Sequence, residues 1–529
     1  MTTSSGAVQH RKLRAPAEHG QTLADPPLEA AADRALDNRT LARAYRYDVQ
    51  GRPLDGLARQ GRQELVAAAG EYTRAYRDVC LPGKPEAVLL AGHQPELYHP
   101  GVWFKNFGVS TVARRMNAVA VNLLIDNDTI RSAAIRVPQG TLDEPRVARV
   151  AFDQPSEEIP FEDRAVQDAA LFTSFAARVR SGLAPFVQHP LIGELWPLVL
   201  EAYRCDSNLG RCLSQGRHRL EAQWGLTTLE VPLSVVCQGE PFRWFLAHLL
   251  AHLPRLQEVY NACLAEYCRA HRIRSRTHPV PPLGQRDEWR EAPFWVWPAE
   301  DPRRRRLFVR RRGAELELSD LCQWQAALSL DPEGDGARAV EQLAEMAAAG
   351  IRLRPRALVT TMFARLLLGD LFFHGIGGAK YDQLTDMIIG RFFHLSPPSY
   401  LVLTATAKLP IPRPQVREED LRRLRWRIRD LRFNPQRYVP RTAETEAWLA
   451  EKQRWIDQRG PCHDRGRRHR AIARANEALQ PFVAAQRARL NAERARCERL
   501  LQQNKLLGSR EYSFCLFPAE ALRFLVLDF

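Results

Sequence analysis

The chain has 529 residues, 45% of them hydrophobic and 26% charged, and a formal net charge of +15. That length predicts two or three domains, and the composition is that of a soluble globular protein. No stretch approaches the roughly eighteen uninterrupted apolar residues of a membrane span, and the polar start, Met1-Thr-Thr-Ser-Ser-Gly6, lacks the apolar core of a secretory signal. A cytoplasmic protein with no membrane partner is expected.

Ten cysteines occur with no C-x-x-C pair, so neither a zinc knuckle nor a disulfide framework is suggested. The positive charge is mostly arginine, which follows genome base composition as readily as function. Nucleic acid is therefore a partner to weigh but not the one expected.

Residues 1–30, with Pro16, Pro26 and Pro27 and little periodicity, are expected to form a poorly ordered arm. Residues 31–150 should hold N-terminal helices, with periodicity over Leu36 to Tyr47 and Gly61 to Cys80, and then the first part of the core. The breaker Leu81-Pro-Gly-Lys-Pro85 leads into Val88-Leu-Leu-Ala-Gly-His-Gln-Pro-Glu-Leu-Tyr-His-Pro-Gly101, an apolar run, a loop with two histidines and a helix start. Ala118 to Ile125 is a second buried strand, closed by Asp126-Asn-Asp-Thr129. Strand, helix, strand makes a βαβ unit, whose right-handed crossover brings both loops to the ligand-binding edge of a parallel sheet.

Short β-like runs at Ala133 to Pro138 and Ala148 to Phe152 are expected to extend the sheet antiparallel. Residues 151–350 read as a mostly helical insertion, with a strand-like Thr228 to Val236 and a hairpin formed by Phe294-Trp-Val-Trp297 and Arg306-Leu-Phe-Val-Arg310. Residues 351–412 return to the core through Ile351 to Arg356, a helix from Ala357, Asp370 to Asp386 with its glycine loop, and a strand ending at Thr404. Residues 413–510 are charged and Arg- and Ala-rich. Ile472, Leu479, Val483, Leu490, Cys497, Leu500 and Leu507 follow a/d spacing, interrupted by Gln486, Glu493 and Asn504, which predicts a coiled-coil helical hairpin. Residues 511–529 are apolar enough to dock on the core.

The candidate chemistry lies in the loops. His93, His99 and Lys380 are candidate catalytic donors, because imidazoles and ammonium groups at strand ends stabilise developing negative charge. Asp126, Asn127 and Asp128, with Gln94, His374, Tyr381, Asp382 and Lys408, are candidate substrate-binding residues. Gly92, Gly101, Gly375, Gly377 and Gly378 would let backbone approach an anion or nucleotide, although the loop does not match the G-x-x-x-x-G-K-[ST] phosphate motif. Capping and turn roles compete with each assignment. Cys462, His463 and His469 lack structural zinc spacing, so no metal is expected there. The run Arg303 to Arg306 is read as a solvated face.

In this order, Ala91-Gly-His-Gln-Pro-Glu-Leu97, Asp126-Asn-Asp128, Phe373-His-Gly-Ile-Gly-Gly378 and a long charged helical segment resemble the bacillithiol biosynthesis cysteine-adding enzyme family, over most of residues 85–515. His93 stands where that family has its first loop glutamine, Asp-Asn-Asp where it has Glu-Asp-His-Asp, and Ala379 where it has proline. The resemblance implies a Rossmann-like parallel core similar to class I nucleotidyltransferases, an inserted connecting region and a C-terminal coiled coil that makes a homodimer. It also implies a carbon-nitrogen ligase that adds a cysteine-like amino acid to a small sugar- or carboxylate-containing acceptor. Because an amide forms in water only from an activated carboxyl, an acyl phosphate or adenylate, ATP or ADP is the candidate nucleotide. The competing reading is a non-catalytic basic coiled-coil scaffold that binds nucleic acid.

Overall fold

The computed structural model describes residues 13–79, 85–130, 132–155, 159–273, 280–458 and 465–526. The expected break at 81–85 falls largely, and the pair Cys462 and His463 wholly, outside these residues. The chain forms two compact units. The first comprises residues 1–137, 148–410 and 510–529, and the second comprises 138–147 and 411–509.

The first unit is mixed α/β and is built on a six-stranded sheet. Its strands are β1 (Thr22–Asp25), β2 (Val88–His93), β3 (Val119–Leu124), β4 (Leu229–Pro232), β5 (Leu371–His374) and β6 (Tyr400–Ala405). Across the sheet the order is β1-β6-β5-β2-β3-β4, with β1 antiparallel to β6 and all other pairs parallel. Every residue of β3 is buried, as expected for a parallel strand covered on both faces.

Three helices fix the geometry: α1 (Ala31–Ala44), α2 (Leu54–Arg74) and α3 (Pro100–Arg115). Within α3 thirteen residues are buried, including Trp103, Phe104, Lys105 and Asn106. Gly101 allows this packing, since a Cβ there would lie 2.4 Å from the Ala405 carbonyl oxygen of β6. In the C-terminal segment Tyr512, Phe514, Leu516 and Phe517 are fully buried, and Phe514 packs on Trp103 with ring centroids 4.4 Å apart.

Several expectations are corrected. Part of the expected loose arm is the edge strand β1, because Thr22–Asp25 pairs with Val402–Ala405. The strand-like run after Thr228 belongs to the core sheet as β4, although it follows a long helical excursion. Ile351–Pro355 does not return to the core: it pairs antiparallel with Phe294–Pro298 in a separate six-stranded sheet built on the expected hairpin. That sheet also includes Glu315–Ser319 and Gln325–Ser329. Ala134–Gly140 and Pro145–Ala151 form their own two-stranded sheet and do not extend the core.

Among its described residues the second unit has four helices of eight residues or more, Glu418–Phe433, Ala443–Asp457, Arg465–Leu479 and Ala484–Leu507. Pro435 opens a short 3₁₀ turn between the first two of these helices, and Pro481 opens another between the last two. Leu479, Val483, Leu490, Cys497 and Leu507 of the expected seam are buried, and Leu501, four residues beyond Cys497, is buried where Leu500 was expected. No described helix is long and apolar enough to cross a membrane.

Candidate functional site

From β2 the chain runs outward through β3 and β4, whereas β5 and β6 lie on the other side of β2. The sheet order therefore reverses between β2 and β5, the position where open parallel sheets leave a crevice at their carboxyl ends. Ala91 pairs with Phe373, so His93 and Gly375, each two residues further on, end adjacent strands at the same level.

Lys105 lies beneath this point. It is 4% exposed, and its Nζ donates to the Gly92 carbonyl at 2.9 Å. Its Cδ lies 3.9 Å from where a Cβ on Gly375 would be, so the missing side chain leaves the lysine stem and the Gly375 backbone in contact range. Among the described residues no carboxylate pairs with it, and burial pushes its ammonium down to about 8. Burial lowers the imidazoles of His93, His99 and His374, and the Lys105 charge adds to the lowering of each. The charge of a lysine that the sequence reading did not single out thus reaches three of the expected histidines.

Helix α5 (Ile376–Ile388) starts at this edge, and its N-cap Gly375 supplies no capping side chain. The first-turn amides of Ile376, Gly377 and Gly378 precede the first helical bond, from the Ala379 amide to the Gly375 carbonyl. His374 lies beside this turn. Its Nε2 bonds Asp382 Oδ2 at 2.8 Å, and Arg365 donates to the same oxygen at 2.6 Å. Burial opposes the Asp382 charge, but Arg365 and His374 outweigh it and hold the carboxyl well below its usual range. Burial pulls the His374 imidazole down despite Asp382. Neutral His374 therefore donates from Nε2 and keeps Nδ1 as its basic nitrogen. Gly378 is required here, because a Cβ on it would lie 2.8 Å from Nδ1.

His93 connects inward. Its Nε2 lies 3.2 Å from Asn106 Oδ1 and 3.3 Å from the Tyr98 hydroxyl. Asn106 Nδ2 donates to Glu221 Oε1 at 2.7 Å, as do Trp103 Nε1 and Arg217, both at 2.6 Å. Glu221 and Arg217 belong to α4 (Leu209–Gln223), and Arg217 also pairs with Glu230 on β4. Burial drives the Glu230 carboxyl up to about 7 against the pull of Arg217, and burial with Arg217 and Lys105 keeps His93 neutral. Apart from the partly exposed Tyr98 the network is buried, which fixes the His93 ring and orients its nitrogens.

The acidic loop is used differently. Asp126 accepts from the Ser234 amide at 2.9 Å and from its hydroxyl, and burial, with Glu162 nearby, raises its carboxyl to about 7. Asn127 donates to the Pro355 carbonyl at 2.8 Å. Asp128 pairs with Arg304 at 2.9 Å and accepts from Gln94 at 3.0 Å, joining the first and second loops. Arg304, expected on a solvated face, instead stacks over Trp295 with its guanidinium carbon 4.6 Å from the ring centroid.

Other expected residues have structural partners. His99 caps α3, its Nδ1 accepting from the Gly101 amide at 3.0 Å. Lys408 pairs with Glu18 at 3.0 Å. Lys380 is exposed, and its carbonyl accepts from the Tyr267 hydroxyl at 2.7 Å, while Tyr381 is partly buried. Gly101 serves helix packing, and a Cβ on Gly377 would meet nothing within 4 Å. Sequence reasoning missed Lys105, Asn106, Arg217, Glu221, Glu230 and Arg365. The one signal available was Lys105-Asn106 inside an otherwise apolar helical face.

His218, Glu221 and Glu230 each offer a ligand atom within 4.8 Å of one another. Both His218 nitrogens already bond, Nδ1 with the Tyr76 hydroxyl at 2.8 Å and Nε2 with the Thr228 carbonyl at 2.9 Å, and both glutamates hold Arg217. The donor set fits an ion-pair network better than a metal. In comparisons with known proteins, the sequence matches no family model and no curated relative.

Proposed function

We propose that the protein is a ligase- or transferase-like enzyme that holds a small carboxylated or phosphorylated substrate between β2 and β5 and joins an amine to an activated carboxyl group. The observation that carries this reading is Lys105, buried without a carboxylate partner beside the uncapped start of α5. A buried ammonium with donors to spare and a set of helix-start amides form a complementary site for an anion.

Forming an amide in water needs an acyl phosphate or acyl adenylate, with ATP or ADP as the nucleotide class. In the proposed step the amine nitrogen forms a bond to the acyl carbon, and the carbon-oxygen bond to phosphate breaks. The phosphate leaves with the electron pair, and the amine proton passes to His374 Nδ1. Lys105 and the α5 amides stabilise the charge on the leaving group, while Asp382 orients His374. Gln94 and Asp128 place the acceptor.

In this reading the sheet is Rossmann-like, the chain is a divergent member of the cysteine-adding family that it resembles, and the protein works in the cytoplasm on a cysteine-like amino acid and a sugar- or carboxylate-containing acceptor. The second unit acts as a dimerising coiled coil, supported by Trp426, Phe433, Ile456 and Phe482, large apolar side chains exposed on it. Light scattering should give a dimer at micromolar concentration and a monomer once 416–507 are deleted.

A thermal-shift series with ATP, ADP, cysteine and amino sugars tests the site. At least one ligand should raise the melting temperature of the wild type, and Lys105→Met and His374→Ala should each remove that shift. No shift in the wild type, or an equal shift in both variants, would refute the assignment.

A further inference from the structure

A concavity of about 600 Å³ opens at the opposite, amino-terminal edge of the strands, between α1 and α2. Its volume lies within the range of pockets that take a whole small molecule. Its floor is apolar, with Ala58, Val66 and Val88 among its lining. Its rim carries five arginines, Arg39, Arg43, Arg59, Arg62 and Arg74, against three acids, Asp55, Glu86 and Asp370.

The arginines are only partly neutralised. Asp55 pairs with Arg59 at 2.6 Å and Asp370 with Arg62 at 3.2 Å. Among the described residues neither Arg43 nor Arg74 pairs with a carboxylate, and Arg39 donates to the Glu86 backbone carbonyl. Arg62 is the most informative member. It is largely buried, its Nε has no hydrogen-bond partner among the described residues, and the charges of Arg39 and Arg43 act on it. A buried donor left unmatched among like charges costs free energy, and an anion among these side chains removes that cost. The acid that does hold Arg62 also accepts from the Val88 amide at the start of β2, at 2.8 Å, so Asp370 is committed to the sheet.

We propose that this groove binds a small amphipathic anion: an apolar body lies along the α1–α2 floor, and a single carboxylate or phosphate sits among Arg39, Arg43 and Arg62. The site is separate from the carboxyl-edge site and does not depend on that site's assignment.

The probe is dodecanoate, below its micellar concentration, titrated calorimetrically into the full chain, with dodecanol as the uncharged control. Dodecanoate should bind with a stoichiometry of one per chain, and dodecanol at least tenfold more weakly. Arg43→Glu, at an exposed position, should weaken dodecanoate at least tenfold. Ala67→Trp, which places an indole in the groove from an exposed position, should abolish binding with an unchanged circular dichroism spectrum. Lys105→Met should leave dodecanoate binding unaltered, which separates this site from the other. The proposal is overturned if dodecanoate does not bind, if dodecanol binds equally well, or if Arg43→Glu and Ala67→Trp bind like the wild type. It is also overturned if only vesicles of phosphatidylglycerol and phosphatidylcholine bind while free dodecanoate does not.

Discussion

Lys105 Nζ donates to the Gly92 carbonyl at 2.9 Å, joining the middle of α3 to the end of β2 with an ammonium that no described carboxylate neutralises. Such a group destabilises the fold while charged. Its pKa falls from an unfolded value near 10.5 to about 8, so between these limits the unfolded chain binds more protons than the folded one. Stability should therefore rise from pH 8 to 10.5, by up to about 3 kcal/mol from this group. Urea denaturation of wild type and Lys105→Met across that range checks it: the variant should lack this part of the rise.

Asp382 has the opposite sign. Its folded pKa is depressed, so its contribution is fully present above the ordinary carboxylate range and is lost as pH falls through the folded value. Asp382→Asn leaves Arg365 with Asp386 as its remaining carboxylate. A loss of about 3 kcal/mol at pH 7 is expected, narrowing toward acid. Equal stability of the two proteins at pH 7 would show that the pair contributes nothing.

Two glycines of the expected anion-binding set should separate cleanly. Gly101→Ala forces a methyl against the Ala405 carbonyl and should cost about 1–3 kcal/mol. Gly377→Ala meets open space and should be neutral or stabilise by up to about 1 kcal/mol, since alanine is the better helix former. Chemical denaturation of both variants distinguishes packing from ligand access.

His99→Ala removes the α3 cap and should cost about 1 kcal/mol without removing a ligand-induced thermal shift. Loss of the shift with little loss of stability would instead give His99 a direct role at the site.

The strand-loop-helix pattern around Gly92 and Gly375 was legible because apolar runs ending in glycine are local signals, and the two loops do end adjacent strands. The membership of Leu229–Pro232 in the core sheet was not legible, because a four-residue apolar run carries no mark of its partner and helices separate it from β3. Ile351–Pro355 was misplaced for the same reason: alternating arginines fit a strand in either sheet. His93 and His374 stood out in the sequence as histidines at strand ends, and the structure does place them there. Lys105 and Arg217 did not stand out, because they resemble surface residues until helix packing removes their solvent. Lys380 and Lys408, which looked better placed beside the loops, are exposed and ion-paired respectively.

The sheet order also bears on synthesis. During translation β2 and β3 emerge together and can pair at once, but the other side of β2 stays open until Leu371–His374 arrives, and β1 waits for Tyr400–Ala405. An unpaired hydrophobic strand edge invites association with other nascent chains, and pairings distant in sequence form slowly. The interval is filled by the helical excursion and the second six-stranded sheet, so a ribosome stalled within that region would hold a core with one raw edge. Yield of folded protein should depend on chaperone capacity more than on the final stability of the fold.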